Sequence, residues 1–528
     1  MLYQLSYYRN CGAKVGICRH IRKFSAKIFG ANMLLHYLCA EKSNPEAANQ
    51  APQPHSAAMT IAIVCIIFFS YLLIATEHIT NINKAVISMF AGTLVWILFM
   101  STGTDFVLKM HAQDFAIWLG TPAHTSQLVK EFIASQVFTR YGADLCGIVL
   151  FMLATMNIVS VLSANGCFDF IAEWARARDS RVVLWVLVAF TCLLSANLDN
   201  LTTTVLMLMT MRSILPETRW RMWFGSAIVI AANCGGASTV IGDLTSLVVW
   251  TKGAVTPTSF TAALILPALV ATVVPTALIA SALPEHIELV RPTARYRGDS
   301  SPLRAWQRAL MLVVGIGGLW FIPTFHRITL LPPFLGALCV LGVLWVLHEI
   351  MNHRQIATNQ PLSTTSDRQF RYASIQTIMY FVGIYMTVSV MIETGIMQSI
   401  SAWCDEWIHN IYLMSLAMGV ISAALDNIAL VLTAINIYPV ATEAATLTNL
   451  NDPAYAEAFL QNGQYWHLII YSGCVAGCLL PIGSVSGYAL MKAEGVTIAW
   501  YARRIMPKVL LGWVLGLATY FLVDLWLR

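Results

Sequence analysis

Apolar residues run along this chain in long blocks, and polar residues are confined mostly to short connections. Blocks near 57–76, 84–101, 143–164, 223–252, 258–283, 305–323, 328–349, 374–396, 464–491 and 505–526 each approach or exceed the roughly 20 apolar residues that cross a hydrocarbon core. The pattern predicts an all-α polytopic membrane protein. Two further apolar regions are interrupted near their centres by an acid–amide pair. Val182–Ala196 and Leu201–Leu215 flank Asp199-Asn200, and Ile411–Ala424 and Ile428–Val440 flank Asp426-Asn427. Helical arms of about 15 residues rise only about 22 Å, short of a core about 30 Å thick. Each region is therefore one over-long broken span or a re-entrant hairpin with its tip near the midplane.

The interruptions share a phrase. Ser195–Asn200 and Ser422–Asn427 both read S-A-x-L-D-N. A carboxylate deep in an apolar stretch is costly and marks a functional site by default. Its duplication suggests two halves of a transporter meeting at a central ion site.

Basic residues decide between the two shapes. Arg176, Arg178 and Arg181 precede the first region, and Arg212, Arg219 and Arg221 follow it. Both ends are basic and hence cytoplasmic, which makes the region a hairpin. From Tyr372 to Met491 there is no Lys or Arg, and the second region is flanked by Asp405, Glu406, Glu443, Asp452 and Glu457. Its ends are expected outside. The chain then divides into a basic extension (1–56), a first inverted-topology repeat (57–283), a cytoplasmic linker (284–304) and a second inverted repeat (305–528), with broken helices and re-entrant hairpins in each half. The basic residues of 291–304, 353–371 and 492–508 all fall on the cytoplasmic side, and the amino terminus falls outside.

A glycine-rich interruption follows each hairpin: Asn233–Ser246 in the first half and Gly473–Gly487 in the second. Aligning their Ile-Gly pairs sets Asp243 against Ser484, Thr245 against Ser486 and Gly236 against Gly477. Such a break frees backbone carbonyls and offers the oxygen ligands that hard cations prefer. Taken alone, a glycine in a membrane helix often serves close packing, and a lone Ser or Thr bonds its own helix. The buried aspartates Asp199, Asp426 and Asp243 are the sharper signal. Glu393 and the pair Glu77-His78 read more readily as interfacial or structural groups. A site of carboxylates without nearby Lys or Arg should attract cations and protons and repel anions. An aspartate that holds either Na⁺ or a proton supplies the exclusive occupancy that exchange requires.

Composition narrows the classes. Of 528 residues, 57% are hydrophobic and 11% charged, against about 25% charged in soluble domains. The net charge of +5 says little, because in membranes placement outweighs sum. No Walker loop, dinucleotide fingerprint or zinc spacing is present, so neither a cofactor nor nucleic-acid binding is expected. Cys474 and Cys478 read as small buried hydrophobes. Residues 1–56 carry six basic residues before the first acid, Glu41. They fit a signal with a long basic region, an over-extended or disordered start, or an organellar transit peptide.

These motifs resemble the NhaD-type sodium/proton antiporters of the ion transporter superfamily, over residues 57–528. The resemblance rests on S-A-x-L-D-N-L-T-T-T at Ser195–Thr204, A-A-N-x-G-G-A-x-x-x-I-G-D-x-T at Ala231–Thr245, S-A-x-x-D-N at Ser422–Asn427 and I-G-S-x-S-G at Ile482–Gly487. It implies ion binding by Ser195, Asp199, Asn200, Thr202, Asn233, Asp243, Thr245, Ser422, Asp426, Asn427, Ser484 and Ser486, with Asp199, Asp243 and Asp426 as transient Na⁺ ligands. It further implies exchange of Na⁺ or Li⁺ for H⁺, favoured at alkaline pH, by a homodimer in a bacterial inner membrane. One departure stands out: Met156–Ser160 lacks the acid that the family pattern leads one to expect near Ser160.

Two other classes are weaker. A sodium-coupled dicarboxylate or citrate carrier of the same superfamily would prefer neutral hairpin tips and a donor for the substrate carboxylate. An intramembrane aspartyl enzyme would need a context such as G-x-G-D, which is absent, so a transporter and not an enzyme is expected.

Overall fold

The computed structural model describes residues 54–80, 82–120, 125–175, 179–287, 303–356, 365–441 and 452–527. Most of the basic extension, Arg176, Arg178, most of the 284–304 linker and Glu443 lie outside them. The described residues are helical and contain no strand. Among the described residues seven helices are long and apolar enough to cross a membrane, and the chain is an all-α polytopic membrane protein.

In the first half the principal helices are α1 (Pro54–Ala75), α2 (Lys84–Met110), α3 (Thr139–Ala164), α4 (Ser180–Ser195), α5 (Asn200–Ile214), α6 (Thr218–Ala237), α7 (Leu244–Thr251) and α8 (Pro257–Ala280). In the second they are α9 (Ala305–Thr329), α10 (Pro333–Ile356), α11 (Thr365–Glu393), α12 (Ile411–Ala424), α13 (Asn427–Ala434), α14 (Gln464–Ala476), α15 (Val485–Glu494) and α16 (Met506–Leu527).

Burial separates a centre from a periphery. Every residue of α6 from Phe224 to Ala237 is buried, as is every residue of α14 from Tyr465 to Ala476. Helices that are apolar on every side belong inside such a bundle. By contrast α1, α2, α9, α10 and α16 expose large side chains such as Phe69, Phe90, Trp320, Trp345 and Trp526, as lipid-facing helices do. Two close contacts tie the layers together. On α2 and α11, a Cβ on Gly92 would lie 2.7 Å from the carbonyl oxygen of Gly383, and one on Gly383 would meet the backbone of Ser88. Small residues permit this approach. Gly512 and Gly516 of α16 lie in the same way against Ala271 and Pro267 of α8.

Three predicted boundaries need correction. The third apolar block begins at Ser126 rather than 143, because a π-turn at Ile133–Phe138 carries the helix through its polar residues into α3. Pro323 does not end its helix but sits inside α9, as prolines in membrane helices can when neighbours satisfy the freed carbonyl. The arm predicted to reach Val440 leaves the helix at Ala434 and continues as a turn.

Candidate functional site

Four short helices begin near the centre of the molecule, and a predicted site residue caps each. Asp199 caps α5, accepting from the Thr202 backbone N–H at 3.1 Å and its hydroxyl at 3.2 Å. Asp243 caps α7, accepting from Leu244 N–H at 2.9 Å. Asp426 caps α13, accepting from Ile428 N–H at 3.0 Å. Ser484 caps α15, accepting from Gly487 N–H at 3.1 Å. Capping alone is a structural role worth about 1 kcal/mol. The partial positive charge of a helix N-terminus also lies beside each of these oxygens.

Each hairpin tip is locked to its broken helix by the same contacts. Ser195 Oγ donates to the carbonyl of Ala232 at 2.6 Å, and Ser422 Oγ donates to that of Gly473 at 2.6 Å. A Cβ on Gly242 would lie 2.6 Å from the Ser195 carbonyl oxygen and 2.8 Å from that of Gly236. A Cβ on Gly483 would lie 2.5 Å from Ser422 and 2.7 Å from Gly477. Only glycine allows these crossings. Asn200 closes the first crossing by accepting from Ser195 Oγ at 2.9 Å. Asn427 closes the second through its backbone N–H, 3.1 Å from the Gly483 carbonyl.

Asp199 and Asp243 line one chamber of about 10 Å³, walled by Phe151, Met152, Thr155, Met156, Ile241, Leu244 and Leu247. That is room for roughly one water-sized particle. Asp243 Oδ2 accepts from Thr245 Oγ1 at 2.6 Å and from the Cys474 thiol at 2.9 Å. Cys474 is therefore a polar partner of the site, contributed by the other half of the chain, and not the plain hydrophobe its surroundings suggested. Among the described residues, neither Asp199 nor Asp243 is paired with a Lys, Arg or His. Asn233 donates to the carbonyl of Val229, while its buried Oδ1 has no partner; Ser486 Oγ is likewise unpartnered.

The chamber adjoins a much larger cavity of about 1150 Å³. Phe151 and Leu247 line both, so they form the partition. The large cavity carries His111, Asp114, Arg140, Tyr141, Asp144, Lys252, His326 and Glu393 on its walls. Glu393 is buried and accepts from Tyr141 OH at 2.8 Å, with His111 Nε2 at 2.7 Å. Beyond the apolar part of α2, His111 titrates above the usual histidine range, chiefly through this bond to Glu393.

The second half differs. The expectation of a centre free of Lys and Arg fails at Asp426, whose Oδ2 is bonded and ion-paired to Lys84 Nζ. Lys84 opens α2, where Asn83 caps the helix by accepting from Ala85 N–H at 2.9 Å. Its ammonium lies 4.5 Å from the centre of the Tyr380 ring. Glu77, His78, Ile482 and Tyr488 complete a small chamber around the pair. Glu77 is thus buried beside the second tip rather than at an interface. Lys84 was not evident in the sequence, since 342 positions separate it from Asp426.

The geometry defines a membrane transporter built on two helix-tip crossings, and comparison with known proteins agrees. The CitMHS family model, described as Citrate transporter, matches residues 71–459. The chain is 32% identical over 388 residues to "Sodium/proton antiporter 2" of Arabidopsis thaliana, covering 72% of this chain and 86% of that protein. It is 25% identical over 521 residues to "Na(+)/H(+) antiporter NhaD" of Alkalimonas amylolytica, covering 93% and 96%. An antiporter of the same name from Vibrio parahaemolyticus is 25% identical over 409 residues, covering 71% and 90%. The chain belongs to the CitMHS family and, within it, to the NhaD-type sodium/proton antiporters.

Proposed function

We propose that this protein exchanges Na⁺ or Li⁺ for H⁺ across a membrane, with the chamber between Asp199 and Asp243 as the shared site. The observation that carries this reading is two carboxylates in one chamber with no cationic side chain among the described residues paired to either. Buried anions need a compensating charge. A metal ion and a proton each supply it, and they exclude each other. Thr202, Thr245, Ser195, Asn200 and Asn233 supply or hold the neighbouring oxygens. Ser422, Asp426, Asn427, Ser484 and Ser486 form the counterpart in the second half. The names of the relatives support Na⁺ and H⁺ as cargo.

The two halves are proposed to be inverted repeats. The open end of the first hairpin meets the end of α15, where Glu494 takes Arg212 and Arg221. The open end of the second lies at the end of α7, where Asn436 accepts from Lys252, and nearby Asn462 N–H donates to Ala254 at 2.8 Å. With the basic ends cytoplasmic, the large cavity faces outward and leads to the Asp199 chamber. A homodimer in a bacterial inner membrane belongs to the same proposal.

The test is a pH gradient across everted vesicles containing the protein. Addition of Na⁺ or Li⁺ should dissipate it. The family description favours one second reading, a citrate carrier. Citrate uptake without cation-driven proton flux would establish that reading instead.

A further inference from the structure

We infer that Lys84 is a tethered cation filling the second of two equivalent positions, so that each chain binds one exchanged metal ion, between Asp199 and Asp243, and none at Asp426. The inference rests on the exchange reading above and adds its stoichiometry.

The backbone provides two crossings of the same design, with matching Ser-to-carbonyl bonds and matching glycine contacts. Their charges differ. The first crossing brings two carboxylates together with no ammonium among the described residues paired to them. At the second, Asp426 is the tip's own carboxylate, because Ser484 stands where the first has Asp243, and Lys84 is ion-paired to it, with Glu77 lining the same small chamber. The tip carboxylates of the first chamber therefore require a mobile positive charge, while the tip carboxylate of the second already has a fixed one.

The ammonium is held in place rather than passing by. Its helix starts at a side-chain cap and packs backbone to backbone on α11 through Gly92 and Gly383. Tyr380, on that same α11, offers its ring face, which attracts a cation. The Lys84 side chain is 12% exposed and that of Asp426 3%. A tethered group also competes at a high effective concentration. An incoming Na⁺ would have to displace it from the Asp426 carboxylate.

Equilibrium binding of radioactive Na⁺ to the purified full-length protein in detergent tests this. The wild type should bind one Na⁺ per chain. Asp199→Asn should lower affinity at least about tenfold. Lys84→Ala should raise the number to two, and Lys84→Ala/Asp426→Asn should return it to one. Lys84→Arg, which keeps a cation, should stay at one. Thermal unfolding of each variant verifies that it is folded. Two Na⁺ per wild-type chain, or one per chain in a folded Lys84→Ala variant, overturns the inference and leaves exchange standing. Absence of saturable binding to the wild type overturns the exchange reading and this inference together.

Discussion

The Glu494 carboxylate, its side chain fully buried, accepts from Arg212 Nε at 2.6 Å. The bond ties the open end of the first hairpin to the last turn of α15 in the other half of the chain. Arg221 Nε adds a second bond to the same carboxylate at 2.8 Å. Replacing the buried carboxylate with an amide removes its charge and sets an NH2 group against one of the two guanidiniums, while the partial exposure of the arginines screens the loss. Glu494→Gln should lower stability by about 1–2 kcal/mol, measured by thermal or denaturant unfolding in detergent. No change would remove this clasp from the account of how the halves are joined.

The proposed opposition of the two hairpins has a direct topological consequence. Glu217 follows the first hairpin and Gln461 precedes α14, and both are exposed. Single cysteines at these positions, in a background without other reactive thiols, should label with impermeant reagents from opposite faces of the membrane. Labelling from one face would defeat the inverted arrangement.

Asp199→Asn and Asp243→Asn each remove one charge from the shared chamber. Exchange in vesicles should fall at least a hundredfold in either variant, with the protein still inserted at normal levels. Thr245→Val keeps both carboxylates but removes a 2.6 Å bond to Asp243. Its effect should be smaller, on the order of 1 kcal/mol or about fivefold in Na⁺ affinity. Full exchange by Asp199→Asn would take that residue out of the mechanism.

Phe151 and Leu247 part the broad cavity from the inner chamber. Leu247→Trp puts added bulk on that seam. It should slow Na⁺-driven proton flux about tenfold or more, at a stability cost of about 1–3 kcal/mol typical of overpacking. Unaltered flux through this variant would mean that ions reach the aspartates by another path.

The His111–Glu393 pair carries a defined pH dependence. Glu393 raises the titration point of His111 above the ordinary value near 6.5. The folded state therefore binds a proton more readily than the unfolded state there. The resulting stability is fully present below about pH 6.5 and is lost as pH rises through the raised value. Asp114, Arg140, Tyr141 and Asp144 line the same cavity. Between pH 6 and 9 the wild type should lose up to about 1 kcal/mol more than His111→Gln, since the pair is partly exposed and screened. Parallel unfolding curves across that range would contradict it.

The sequence made some of this arrangement readable and concealed the rest, for physical reasons. An aspartate inside an apolar run is rare enough that Asp199 and Asp426 announced themselves, and the shortness of their arms predicted the break. The Ile-Gly alignment set Asp243 against Ser484, and the structure makes both of them helix caps. Lys84 was opaque because it opens an ordinary-looking span, and only tertiary packing carries it to Asp426. Cys474 was misread because a thiol in an apolar segment looks the same whether or not a carboxylate faces it. The start of the third span was placed late because Lys130, Glu131 and Arg140 break the hydropathy without breaking the helix. Glu393 looked peripheral, since nothing local announces that His111 and Tyr141 converge on it.

The contrast in size between the large cavity and the small chamber beside it separates recognition from obstruction. A drug-sized organic ion would find room and walls of both charges in the large cavity, yet would be too large to pass the aromatic and aliphatic seam. Such a molecule would act as a stopper rather than a rival substrate, and its potency would be set by the residues of the rim, leaving the charge-carrying aspartates untouched.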